Sequence, residues 1–433
     1  KSLAPPPPIP ADILDTALTA GLLTFALHVE SRISSALGEG FYTIGPCGEE
    51  PLAAVGLALR PTDPCALHYR HLATSLARGL AAGRSVRDLS LDRARGYTVS
   101  SMDPVGGGAH CLLGGGDTDF LVTSTLASQA PPAVGRALGG RLAHLLGGDA
   151  AAQCAFPADF VSYVSLGDGS VNNAHFLSAV NLAEYTRHRG FKCPVVFGVS
   201  DNDRCISLRG HGWLPNFLKQ RLGMPVFRCD GNDPAAVFAA TSDAAAYSRS
   251  RGAPTTVVFE GLSRRFGHAA TDRQDAYLDR AEIAAAAEHS ALAGMCAQYV
   301  AHPGTTGDHA SVARRFRDIL NVVQDCFSEA AAEPKLASRD ELVARNSAPV
   351  VPVKAAAEAP TRAGLASASK ANGSSGKKNK TVVMRKNMTR LLEEVLSGKA
   401  DSSPQKDVVY IGEDVEHGGY YLVSQGLKRK FPS

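Results

Sequence analysis

The chain has 433 residues, 44% of them hydrophobic and 20% charged, which is enough apolar material for more than one core. Its 45 basic and 42 acidic residues leave a net charge of +3, so the composition carries no electrostatic footprint for nucleic acid. Nine scattered cysteines, none in a Cys-x-x-Cys pair, argue against a disulfide framework or a zinc site, and no apolar stretch reads as long enough for a membrane span.

In chain order, KSLAPPPPIP is a proline-rich lead-in that excludes helix and central strand. A helix is expected over Ile13–Leu37, so residues 1–40 form a lead-in and helix. From Phe41 to Glu333 short apolar runs alternate with Ala/Leu-rich helical stretches, which predicts an α/β domain over 41–333: a parallel sheet with helices on both faces. Strands are expected at Phe160–Leu166, Val195–Ser200 and Thr255–Glu260, the last after a helix near Ala235–Arg249. Between the first two, Phe176, Val180, Ala183 and Tyr185 are spaced to cover one helix face, which makes a βαβ unit.

Residues 334–380 are rich in Ala, Ser, Lys, Pro and Gly, with almost no bulky apolar residue, and read as a flexible linker. Pattern resumes over 381–433 with a helix at Asn387–Ser397 and a strand at Asp407–Gly412. That length suits only the start of a second α/β domain, so the sequence is expected to continue beyond Ser433.

Two strand ends carry the chemistry. LGDGSVNN follows the first apolar burst and SDNDRCIS the second, and ligands of open parallel sheets gather at the carboxyl ends of strands. A βαβ crossover brings Asp168 and Asn202 together. A carboxylate, an amide oxygen and a backbone carbonyl, completed by phosphate oxygens and water, make an octahedral Mg²⁺ shell. Gly167, Gly169 and Ser170 form the turn that cradles a diphosphate, with the glycines allowing a tight turn and close approach. GDG alone is also an ordinary turn; its sequel of NN, helix, strand and DN is what raises it above one.

Six motifs occur in order: FYTIGPCGEEPLAAVGLALRPTDPCALHYR, TSTLASQAPPAVGRAL, LGDGSVNN, SDNDRCIS, RRFGHAATD and VVYIGEDVEHGGYYLVSQGLKRKF. With them the chain resembles the thiamine-diphosphate-dependent decarboxylating component of 2-oxo acid dehydrogenase complexes. It is most similar to fused forms, including branched-chain ones, in which α-like and β-like halves share one polypeptide. The α-like likeness runs from Phe41 to Asp272 and the β-like one from Thr381 onward.

The resemblance implies a transketolase-like, thiamine-diphosphate-binding fold and oxidative decarboxylation of a 2-oxo acid, branched-chain before pyruvate, with acyl transfer to a lipoyl-bearing acyltransferase partner. It implies that Asp168, Asn202 and the Arg204 carbonyl hold Mg²⁺, and that Tyr69 and Arg70 hold the cofactor phosphates. Ser124 and Leu126 fall near the aminopyrimidine, His268 is the loop histidine of acyl transfer, and Arg264 is its basic partner. It further implies a homodimer of the fused chain or a separate β-like subunit, in the mitochondrial matrix of a eukaryote or the cytoplasm of a bacterium.

Departures from the family pattern are specific. Asp203 and Cys205 stand where fused relatives usually have glycines, and Ala269 replaces the serine that follows the loop histidine in kinase-regulated relatives. The family's catalytic glutamate is expected beyond Ser433; Glu413 and Asp414 sit too early in the motif to replace it. Two other readings stand beside the main one. A transketolase-type enzyme would share the metal motif but lack HYR and RRFGH. A non-catalytic subunit or gene fragment is the second. His110, behind three glycines, reads equally as a site residue or a loop residue.

Overall fold

The computed structural model describes residues 9–41, 44–46, 48–105, 113–114, 118–270, 272–346, 383–397, 410 and 422–431. His110, most of the expected strand at Asp407–Gly412, Glu413 and Asp414 lie outside the described residues. The chain divides into two units, Lys1–Leu145 with Cys154–Asn346 and Leu146–Gln153 with Ser347–Ser433.

The first unit begins with α1 (Ala11–Leu37), α2 (Ala53–Ala58), β1 (Cys65–Ala66), α3 (Leu72–Ala81), α4 (Val86–Tyr97) and α5 (Ala130–Leu146). After α6 (Gly148–Gln153), which falls in the second unit, come β2 (Ser162–Gly167), α7 (Ala174–His188), β3 (Val195–Ser200), β4 (Arg204–Cys205), β5 (Leu208–Arg209), α8 (Trp213–Arg221), β6 (Val226–Asp230), α9 (Pro234–Arg251) and β7 (Thr255–Glu260). Helices α10 (Arg280–Glu288), α11 (Ala291–Ala301), α12 (His309–Ala332) and α13 (Arg339–Asn346) follow. In the second unit, α14 (Met384–Leu396) and α15 (Leu427–Lys430) are joined by the Lys430–Glu393 ion pair, and the Thr389 hydroxyl donates to the Val423 carbonyl.

Five strands form a wholly parallel sheet in the order β1-β2-β3-β7-β6, and β4 and β5 form a small antiparallel hairpin. The two-residue period of a strand sorts side chains onto two buried faces. Val161, Tyr163, Val196, Val257 and Phe259 pack into one core with residues of α1, α2, α3, α9, α11 and α12. Val164, Leu166, Val195, Phe197, Val199 and Val258 pack into the other with α5, α7 and α8.

Strands β3 and β7 span the residues expected for them. Strand β2 starts at Ser162 rather than Phe160, because the Val161 N–H donates to the Asp63 carboxylate instead of joining the ladder. Helix α9 is longer than expected at both ends: Asp233 caps its N-terminus, Pro234 occupies its first position, and Gly252 ends it with φ 61°. On α7, Phe176, Val180 and Ala183 are buried but Tyr185 is 57% exposed. Two residues past Ala183 is about 200° round a helix, so Tyr185 falls on the opposite face.

Two further expectations change. Helix α1 is long and apolar enough, by length and composition, to cross a membrane, contrary to the reading of the sequence. Interruptions by single polar residues hide it: Thr24, His28 and Ser31 are buried with Leu18, Leu23 and Leu27 as the helix packs among α2, α3, α11 and α12. Helix α13 lies within the stretch read as linker, where Asp340 and Glu341 favour its first turn.

Candidate active site

Four strands of the sheet deliver the candidate residues at their carboxyl ends. His68–His71 follow β1, Asp168–Ser170 follow β2, Asp201–Arg204 follow β3, and the loop 261–272 follows β7.

Asp168 is only 8% exposed, and both its oxygens accept backbone protons: Oδ1 from Gly169 N at 2.8 Å and Oδ2 from Arg204 N at 3.0 Å. Burial pushes its carboxyl up to about 6, against those bonds and one from Asn202 N; the charge of Asp201 adds to the rise. Beside it, the Asn202 Oδ1 atom is buried and accepts no hydrogen bond. An orphaned amide oxygen next to a buried carboxylate is a costly arrangement unless a cation completes it. Among the described residues no group of three His, Cys, Asp or Glu side chains gathers, so a cation here would draw on neutral oxygens as well as carboxylate.

The glycines of the turn act differently from expectation. Gly167 has φ −88° and Gly169 is not among the residues of positive φ, so neither serves a left-handed turn. Gly169 is needed for clearance, because a Cβ there would stand 2.6 Å from Cys205 Sγ. A Cβ on Gly167 would meet nothing closer than 3.8 Å. Ser170 is buried, and its carbonyl accepts from Asn173 N.

Asp203 does have a positive φ, 52°, a conformation that Asp tolerates better than most residues. Its carbonyl accepts from Gly210 N and its Oδ1 from Gly212 N, so it braces the β4–β5 hairpin. The extra carboxylate is therefore used in the hairpin, and Cys205 fills the space that Gly169 leaves.

Arg70 is buried. It donates from Nη1 to the Gly45 carbonyl at 2.6 Å, and from Nη2 to His268 Nδ1 at 2.8 Å and the His268 carbonyl at 3.0 Å. Arg70 also lies over the Tyr69 ring, which stacks on His68. Because His268 Nδ1 accepts a hydrogen bond from a guanidinium, the neutral ring carries its hydrogen on Nε2. Burial lowers the His268 pKa to about 4, and the charges of Arg70 and Arg264 push the same way. The loop is braced by Tyr277, whose hydroxyl donates to Asp272 and accepts from Arg264; Asp272 also accepts from His268 N, and Arg264 reaches the Ile206 carbonyl.

A cleft of about 320 Å³ opens at this edge, lined by Asn202, Arg204, Ser263, Arg264, Leu278 and Glu282 among others. Arg204 Nη1 and Arg264 Nε are buried there without a hydrogen-bond partner, while Arg204 Nη2 pairs with Glu282 of the same lining at 3.4 Å. Ser124 is half-buried and Leu126 is 44% exposed on their own loop.

Several site neighbours escaped the sequence reading. Gln129 is buried, donates to the Ser165 carbonyl of β2 at 2.8 Å, and has an Oε1 without a partner. It was within a quoted motif, as were Glu49 and Asp272, but spacing alone does not say which motif residues turn inward. Tyr277 and His71 had no motif signal beyond adjacency.

The family model "Dehydrogenase E1 component" matches residues 28–339, more than two thirds of the chain. The 2-oxoisovalerate dehydrogenase subunit alpha of Bacillus subtilis (strain 168) is 28% identical over 308 residues, covering 68% of this chain and 84% of that protein. The 3-methyl-2-oxobutanoate dehydrogenase subunit alpha of Mycobacterium tuberculosis (strain CDC 1551 / Oshkosh) is 29% identical over 245 residues, covering 55% of this chain and 57% of that protein. The match in strain ATCC 25618 / H37Rv has the same extent. The parallel sheet, the acid and amide at adjacent strand ends and the family match agree: this chain belongs to the dehydrogenase E1 component family.

Proposed function

We propose that the chain is the thiamine-diphosphate-binding half of a 2-oxo acid decarboxylase that takes branched-chain 2-oxo acids in preference to pyruvate and passes the acyl group to a lipoyl-bearing partner. Family membership implies thiamine diphosphate, and the names of the relatives favour the branched-chain substrate. The observation that carries the reading is the buried Asp168 carboxylate beside the partnerless Asn202 oxygen, an arrangement that fits Mg²⁺. In this reading Asp168, Asn202 and the Arg204 carbonyl hold the metal. Tyr69 and Arg70 hold phosphates, with Gly167, Gly169 and Ser170 lining the turn and Ser124 and Leu126 the aminopyrimidine side.

When bound, the cofactor supplies the carbon nucleophile that adds to the 2-oxo group and stabilises the charge left by loss of CO₂. The chain's own residues anchor and orient. Arg70 fixes the His268 ring through Nη2 and brings its positive charge and its remaining N–H groups to the phosphate side. His268, neutral with its proton on Nε2, presents a hydrogen-bond donor for acyl transfer, and Arg264 holds its loop. A β-like partner, within a longer chain or separate, supplies the general acid for the aminopyrimidine.

Calorimetric titration with thiamine diphosphate, with and without Mg²⁺, tests the site. Wild type is expected to bind only with the metal, and Asp168→Ala to lose that binding; retained affinity in the variant overturns the assignment. Decarboxylation of 3-methyl-2-oxobutanoate against pyruvate by the assembled enzyme tests the substrate, and a higher kcat/KM for pyruvate refutes the preference.

A further inference from the structure

Beneath the Tyr69–Arg70 pair lies a second polar cluster sealed from solvent. Ser200, the last residue of β3, donates its hydroxyl to Glu49 Oε2 at 3.0 Å. His71 Nε2 stands 3.0 Å from the same hydroxyl and 3.6 Å from Glu49 Oε2. Glu49 is 4% exposed, Ser200 1% and His71 0%. Burial holds the His71 ring neutral, at about 3; with the single Ser200 hydrogen given to the carboxyl, the contact at Nε2 is one in which the ring donates to Ser200. Burial also pushes the Glu49 carboxyl up to about 7, while the charge of Arg70 pulls it down.

Ser, His and Glu in contact suggest a nucleophilic triad, but the geometry excludes one. The serine is 1% exposed, so no substrate reaches it, and the carboxyl takes its hydroxyl hydrogen. The chain positions of the three residues suggest another role. Ser200 is two residues before Asn202, and His71 directly follows Arg70. Glu49 is on the same short segment as Gly45, whose carbonyl takes Arg70 Nη1. That segment is also locked against the loop of His268, since a Cβ on Gly48 would fall 1.6 Å from the Ser263 carbonyl oxygen.

We propose that Glu49, Ser200 and His71 are positioning residues that set the register between the phosphate-holding edge, Tyr69–Arg70, and the metal-holding edge, Asp168–Asn202, of the cofactor site. The inference rests on the reading of that site given above. A buried carboxyl, hydroxyl and imidazole are a costly way to fill space, and apolar residues of similar volume would pack it with less desolvation. Directional hydrogen bonds do what apolar packing cannot: they hold three separate segments at one relative setting.

The test uses the assembled enzyme with its β-like part and reads the Kd of thiamine diphosphate at saturating Mg²⁺, alongside Tm. Ser200→Ala and Glu49→Leu are each expected to raise Kd by about tenfold, the loss of one buried hydrogen bond to a carboxyl. Glu49→Gln, which keeps an acceptor for the serine, should stay within about threefold. The double variant should bind no worse than the weaker single one, because both break the same link. A merely structural role would lower Tm and leave the Kd of the folded protein unchanged, and that result overturns the inference. Should Glu49→Leu not fold, Ser200→Ala, which removes a single oxygen, still decides. Wild type that binds no thiamine diphosphate overturns the site reading and this inference together, whereas variants that match a binding wild type overturn this inference alone.

Discussion

Replacing Asp168 with Asn should change stability in a way that depends on pH. The carboxyl titrates near 6 in the folded chain against 3.8 as its ordinary value, because burial penalises its charge more than three backbone N–H groups compensate. Below pH 3.8 the group is protonated in both states and contributes no penalty. Between 3.8 and 6 the unfolded chain releases the proton while the folded chain keeps it, so the fold loses stability as pH rises, and above 6 the penalty is constant. Two pKa units correspond to about 3 kcal/mol. With the metal chelated, the stability of Asp168→Asn relative to wild type should therefore rise by about 2–3 kcal/mol between pH 4 and pH 7.5, whatever fixed offset the altered hydrogen bonds impose. Urea unfolding in EDTA at several pH values measures this difference directly. Adding Mg²⁺ and thiamine diphosphate at pH 7.5 should then stabilise wild type and not the variant. A stability difference that is flat across pH refutes the argument that Asp168 is held as a desolvated, metal-awaiting carboxylate.

Three further outcomes follow from other parts of the molecule. The His268 imidazole should titrate near 4 by NMR, stay neutral down to mildly acid pH, and lose its bond from Arg70 as pH falls through that value; Arg70→Ala should move the midpoint back toward 6.5, and a wild-type midpoint of 6.5 contradicts the burial argument. The Tyr163 hydroxyl is buried without a hydrogen-bond partner, so Tyr163→Phe should stabilise the chain by about 1 kcal/mol; Gly198→Ala, whose Cβ would lie 2.0 Å from that hydroxyl and 2.6 Å from the ring, should cost at least about 2 kcal/mol and be only partly relieved in the Tyr163→Phe background, as thermal melts of the four proteins would show. Asp63, fully buried, accepts from Arg249, Arg60 N and Val161 N, and Asp63→Ala should destabilise by about 3–5 kcal/mol in chemical unfolding; a loss under 1 kcal/mol would mean that the pair is not desolvated.

The sequence by itself determined the parallel sheet, because β3 and β7 are short β-branched and apolar runs, buried along almost their whole length, that only a sheet covered on both faces can bury. It also singled out Asp168 and Asn202 as candidates, since small and acidic residues after such runs are local features that survive without knowledge of the fold. Where a residue's role depended on what meets it across the chain, sequence was silent or misleading. Tyr185 was placed on the wrong helix face by a spacing of two. Helix α1 hid an apolar length behind single polar residues that tertiary packing buries. Gly169 turned out to be required by Cys205, 36 residues on, and not by its own φ. Only the tertiary structure decided that Arg70 holds His268 across 198 residues and that Glu49, Ser200 and His71 share one buried link. The physical reason is that hydrogen bonds between distant segments leave no period or spacing in the chain. Their partners are chosen by the sheet that brings the strand ends together.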